Sequence, residues 1–216
     1  MASWTLWALL SAFAAVANWV AVATGRPAVE RWAKPLTMIG LIAVVLSVGA
    51  TESRTGWLLV AALVFCLLGD VALLGDTQAR FLLGLGAFLL GQLLYAVTFT
   101  SLGLTGGVLW VITGGLVVLA AFVVGREILP AVWRSGGATL ITPVAVYMGV
   151  IGLMALFGWL TGHLLIGLGA AFFLASDTIL ALDKFVENRP WGHLAVMVTY
   201  HLAQALIVLG VLRALV

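Results

Sequence analysis

Apolar residues run along this chain in long, nearly unbroken stretches, with polar residues mostly in short clusters between them. Eight such stretches stand out, at about 5–24, 35–50, 57–75, 80–101, 106–125, 138–160, 163–182 and 192–213. All but the second approach the ~20 residues that a helix needs to cross a hydrocarbon layer about 30 Å thick. Backbone groups in lipid must be satisfied internally, which leaves helices and closed barrels as spanning structures. The stretches are continuously apolar rather than alternating, and this favours helices. Only 8% of residues are charged and the mean hydropathy is +1.23, whereas soluble domains carry about 25% charge. The expectation is an all-α, polytopic membrane protein with eight transmembrane helices, forming a single transmembrane domain over residues 1–216. The connections are too brief for a water-soluble domain.

Met1 to Thr24 ends in a sequence resembling a cleavage site, but no Lys or Arg precedes its apolar segment, so it reads as a retained first span. The single cysteine, Cys66, excludes an intramolecular disulfide and a cysteine metal cluster. Arg26, Arg31, Lys34, Arg80, Arg126, Arg134, Lys184 and Arg189 lie in the odd-numbered connections, and only Arg54 and Arg213 lie on the other side. Eight against two places the odd connections in the cytoplasm and both termini outside. The lean loops and this asymmetry point to a bacterial inner membrane.

The halves share a register. Pro35 precedes Pro143 by 108 residues, while Gly69-Asp70 precedes Ser176-Asp177, and Asp76 precedes Asp183, by 107. An internal duplication is expected, with halves at about 1–105 and 106–216. Each half would hold four helices, an even number, giving two parallel four-helix repeats related by an axis along the bilayer normal, with the site at their interface.

Asp70 lies inside the third apolar stretch and Asp177 inside the seventh. A charged side chain near a helix centre in hydrocarbon costs at least ~2.5–3.5 kcal/mol, so such residues are functional candidates by default. The proposed orientation puts both toward the cytoplasmic half, as two buried acids with no buried base. Lys34 is expected at the cytoplasmic mouth of the second helix, its stem on apolar surface and its ammonium among the headgroups. Cys66 shares the face of Asp70, four residues away, and reads as small packing. Asn18 is the only side-chain amide of the first span.

In the fourth span Gly84, Phe88, Gly91 and Tyr95 form one stripe with Gln92 beside it, and small residues there permit close helix approach. In the eighth, His193, Met197, Tyr200 and Gln204 repeat its four-three-four spacing. Gly169, Phe173, Asp177 and Ala181 line the seventh, and Pro143 and Tyr147 share a face of the sixth. For Gln92 and Tyr95, plain hydrogen bonding between helices competes evenly with lining a site.

His193 and His201 are eight residues apart, roughly 12 Å along one helix, too far to share an ion, and His163 lies on the outer side. Ser176 sits in no nucleophile elbow. No glycine loop for phosphate and no nucleic-acid surface is visible. A carboxylate pair remains, able to share one proton and so supply both acid and base in an apolar cavity. Such a pair can protonate a substrate, stabilise an oxocarbenium-like cation and admit water. It can equally serve a proton- or cation-coupled transporter of a small or lipid-like solute, and these residues alone leave both readings open.

LLGDVALL, FLLGLGAFLLGQLLYAVTF, FFLASDTILA and YHLAQALIVLG resemble, in order and spacing, the YhhN-like lysoplasmalogenase family of eight-span membrane proteins, from about Lys34 onward. The resemblance implies hydrolysis of the vinyl-ether bond of lysoplasmalogens to a fatty aldehyde and a glycerophospho-head group, without a cofactor or metal. It implies that Asp70 and Asp177 are the catalytic pair and that the partners are a lysophospholipid substrate and membrane lipid. Around them Gln92, Tyr95, Tyr147, Ser176, Tyr200 and Gln204 are expected to contact substrate or water, and Lys34 the phosphate. Many family members carry His where this chain has Gln92, which leaves that residue hydrogen bonding rather than proton shuttling.

Overall fold

The computed structural model describes residues 3–215, and among them all regular structure is helical. The α-helices are α1 (Ser3–Ala23), α2 (Pro27–Ser47), α3 (Arg54–Ala72), α4 (Gln78–Leu102), α5 (Val108–Val124), α6 (Ile128–Leu160), α7 (Leu164–Phe185) and α8 (Gly192–Ala214), with short 3-10 turns at Ala50–Glu52 and Gly125–Glu127. Among the described residues six helical stretches are long and apolar enough to cross a membrane, namely α1, α3, α4, the stretch Val108–Leu160, α7 and α8. The chain is an integral membrane protein.

Two elements depart from the expected boundaries for identifiable reasons. α2 starts at Pro27 rather than near 35, because a proline in the first turn costs no hydrogen bond and brings a helical φ with it. Glu30, Arg31 and Lys34 therefore lie inside the helix, and its apolar part, from Pro35 to Ser47, is only roughly 20 Å long at 1.5 Å per residue. α6 starts at Ile128, but Gly137, at φ 54° and ψ −144°, breaks it where the sixth apolar stretch was expected to begin. That backbone conformation suits glycine, which has no Cβ to clash.

The chain divides into two compact units, one reaching from the N-terminal side to Leu102 and including the residues from Val208 on, the other Gly103–Ile207. In the first unit α1 packs on α2, α2 on α3, and α3 on α4. Hydrophobic driving force is weak between helices surrounded by lipid, so close backbone approach at small residues matters more. Ser11 donates a hydrogen bond to the carbonyl of Thr37 at 2.8 Å, and a Cβ on Gly40 would stand 2.7 Å from that of Ser11. α3 and α4 run antiparallel, with Gly69 against the Phe88 ring, Gly84 against Leu73 and Gly91 against Cys66. The expected stripe of Gly84, Phe88, Gly91 and Tyr95 is buried along its whole length. Thr55 and Ser101 close the far end of this pair with a hydroxyl–hydroxyl contact of 2.9 Å.

In the second unit α6 packs on α5 and α7. Gly114 is the only buried residue of α5, against Trp159, while Val108 and Leu109 are more than 70% exposed. Such surface is what a helix presents to lipid. Gly169 of α7 lies against Ala203 and Ile207 of α8, and Phe173 meets Tyr200 edge to face with centroids 5.4 Å apart.

A Cβ at Gly91 would lie 2.9 Å from the Cys66 sulfur. Gly91→Val is therefore expected to lower the melting temperature in detergent, by the equivalent of about 1–3 kcal/mol. Adding Cys66→Ala should recover part of that loss, as thermal unfolding of the single and double variants would show.

Candidate functional site

In the first unit Asp70 occupies the last turn of α3, next to Gly69. With no side chain at Gly69, the Phe88 ring of α4 can lie against the α3 backbone beside the acid. Lys34 of α2 meets the acid, its Nζ 3.3 Å from Asp70 Oδ1, with side chains only 5% and 1% exposed. This overturns the expectation of acids without a buried base and of a lysine among the headgroups. The cause is the earlier start of α2, which sets Lys34 two turns inside the helix instead of at its mouth. A buried ion pair must compensate the loss of hydration on both partners through close approach and further hydrogen bonds.

α4 supplies the other polar groups of this unit. Tyr95 is fully buried and stacks on Phe99, with centroids 6.0 Å apart. Gln92 is fully buried too, and neither atom of its carboxamide has a hydrogen-bond partner. On α1, Asn18 is in the same condition, fully buried with both amide atoms unpartnered. In sequence it stands out as an amide inside an apolar run.

In the second unit Asp177 of α7 is half-buried and accepts a hydrogen bond from the Tyr147 hydroxyl of α6. Tyr147 was expected to contact substrate, and here it serves the acid. Ser176 donates to the carbonyl of Val196 on α8 at 3.1 Å, a structural bond between helices. Tyr200 and Gln204 of α8 are both buried, and Tyr200 packs its ring on Phe173 and on the adjacent His201. Asp183 accepts the backbone N–H of Arg189 at 2.6 Å, holding the link between α7 and α8.

Each unit thus presents one acid engaged by a side chain of the preceding helix, ammonium to Asp70 and phenol to Asp177. The profile of the YhhN family matches residues 29–211. The chain belongs to the YhhN family. It is 35% identical over 164 residues to lysoplasmalogenase TMEM86A of Bos taurus, covering 70% of this chain and 64% of that protein. It is 36% identical over 157 residues to lysoplasmalogenase TMEM86B of Homo sapiens, covering 73% of this chain and 64% of the relative. The chain therefore spans somewhat less than two thirds of the length of these relatives. No solved structure matches it. The family match includes Lys34, Asp70 and Asp177, and begins after Asn18.

Breaking a buried ion pair at one partner leaves a charge without compensation and typically costs about 3–5 kcal/mol. Lys34→Met and Asp70→Leu are each expected to lower the melting temperature markedly, and the double variant to regain most of the loss. Thermal unfolding in one detergent checks this, and additive losses in the double variant would contradict a coupled pair.

Proposed function

We propose that this protein hydrolyses the vinyl-ether bond of lysoplasmalogen-type lipids, releasing a fatty aldehyde and a glycerophospho-head group. The observation that carries the reading is the buried Lys34–Asp70 pair, in a chain of the YhhN family whose relatives are named lysoplasmalogenases. A carboxylate kept within a membrane helix needs a use, and vinyl-ether chemistry supplies one.

The reaction begins with transfer of a proton to the alkenyl carbon that does not bear oxygen. The carbon bearing oxygen becomes an oxocarbenium ion. Water adds to it and gives up a proton to a carboxylate, leaving a hemiacetal, which collapses to the aldehyde and the glycerol hydroxyl. One water is consumed, and the carboxyl that took a proton from water passes it through solvent to the one that gave a proton, so both end as they began. General acid–base catalysis of this kind contributes typically 10²–10⁴-fold. Asp70, neutralised by the Lys34 ammonium, suits the role of stabilising the cation and taking the proton from water. Asp177, held by Tyr147, suits that of donor. Lys34 has three ammonium hydrogens, so one turned to Asp70 leaves others for the substrate phosphate. Gln92, Tyr95, Tyr200 and Gln204 orient substrate and water in this reading, while Tyr147 positions Asp177 and Ser176 ties α7 to α8.

The same proposal includes eight spans, both termini outside and the acids toward the cytoplasmic half of a cell membrane. It also includes an internal repeat. Its support is that Gly69 meets Phe88 and Cys66 meets Gly91 in one unit, while Ser176 meets Val196 and Phe173 meets Tyr200 in the other. The first partners of these contacts differ by 107 residues in each case.

Purified protein given a lysoplasmalogen in detergent, where no gradient exists, should release aldehyde. Transport without hydrolysis would leave that assay silent. Asp70→Asn and Asp177→Asn should each reduce release at least 10²-fold, and the double variant should be no worse than the weaker single one, as groups acting in one step are not additive. Full activity in either single variant removes that acid from the mechanism.

A further inference from the structure

The carboxamide of Asn18, like that of Gln92, is fully buried in the first unit with neither end bonded. Ser11 fixes how α1 lies on α2, through its bond to the Thr37 carbonyl and its contact with Gly40. The two helices are joined by only three residues, 24–26, and so run antiparallel. Asn18 is seven residues, two turns, from Ser11 toward that link, on the same buried face as Ala14, Ala15 and Ala21. Seven residues back along α2 from Thr37 and Gly40 are Glu30 and Ala33. Asn18 therefore stands level with the turn of α2 that carries fully buried Ala33 and, next to it, Lys34.

A buried amide left without partners loses the full hydration of both its ends. Its N–H₂ needs an acceptor and its carbonyl needs a donor. A phosphate offers only acceptors, and an ammonium only donors, whereas a hydroxyl offers both. We propose that Asn18 reads a hydroxyl group beside Lys34, and that in the lipid substrate this is the free glycerol hydroxyl next to the phosphate-bearing carbon. The inference rests on the substrate class proposed above and adds the residue that distinguishes a lysolipid from one acylated at that position. A site built to hydrogen-bond a hydroxyl discriminates strongly against an analogue lacking it, because the protein groups are then left unpaired. A water molecule has the same bonding capacity, so the test separates lipid hydroxyl from water.

The probes are a 1-O-alkyl lysophosphocholine, whose saturated ether is not cleaved by protonation, and its analogue with hydrogen in place of the glycerol hydroxyl. Binding of each to wild-type protein and to Asn18→Leu in lipid nanodiscs is measured by tryptophan fluorescence, with Asn18→Ala as a second variant. The wild type should bind the hydroxyl-bearing lipid roughly ten- to a hundredfold tighter than the analogue. Either variant should bind both lipids at the level of the analogue. Equal binding of the two lipids by wild type, binding of neither, or a preference kept in both variants overturns the inference. A raised melting temperature in Asn18→Leu with lipid preference unchanged does so as well, and assigns the amide to water. Hydroxyl-dependent binding without aldehyde release from a vinyl-ether lipid supports this inference and sinks the hydrolytic reading alone; aldehyde release with hydroxyl-independent binding does the reverse.

Discussion

The ion pair between Lys34 and Asp70 sets the terms for the first unit, since neither side chain is tolerable in hydrocarbon without the other. Their meeting at 3.3 Å requires α2 to continue as helix through its charged first half and requires α3 to present Asp70 toward it. It also requires the surroundings to stay closed, because water entering around the pair would weaken the attraction that holds it. The absence of a side chain at Gly69 helps, as the Phe88 ring lies directly against the backbone beside the acid.

Close contact at small residues is how the rest of the protein meets that requirement. Ser11 with Gly40, Cys66 with Gly91, and in the other unit Gly114 with Trp159 and Gly169 with Ala203, let helices approach where larger side chains would hold them apart. Dispersion accumulates over many such contacts. Rigid helix pairs then carry their polar residues at defined depths, which is the condition for a preorganised site.

The polar groups inside each unit are graded by how completely they are satisfied. Ser176 and Thr37 are consumed by helix-to-carbonyl bonds and read as structure. Asp70 and Asp177 have specific charged or phenolic neighbours. Gln92 and Asn18 have none for their amides. Buried polar groups in native proteins are nearly always bonded, so these two amides are the least satisfied side chains of the first unit among the described residues.

Hydropathy along the chain was enough to expose a helical membrane protein, the location of most of its helices, though not the starts of α2 and α6, and the presence of acids within two of them, because these follow from local composition and from the thickness of a bilayer. The stripe from Gly84 to Tyr95 was legible for the same reason, as helical periodicity is a local property. Which side chain answers which acid was not legible. Pairing depends on where a helix begins, how it is rotated about its axis and how it is offset along its neighbour, and none of these is written in composition. Pro35 looked like a boundary, yet α2 runs through it from Pro27. That shift alone turned Lys34 from a headgroup anchor into the partner of Asp70. Tyr147 became the neighbour of Asp177 by the same logic of packing, since only the contact of α6 with α7 joins residues 30 positions apart.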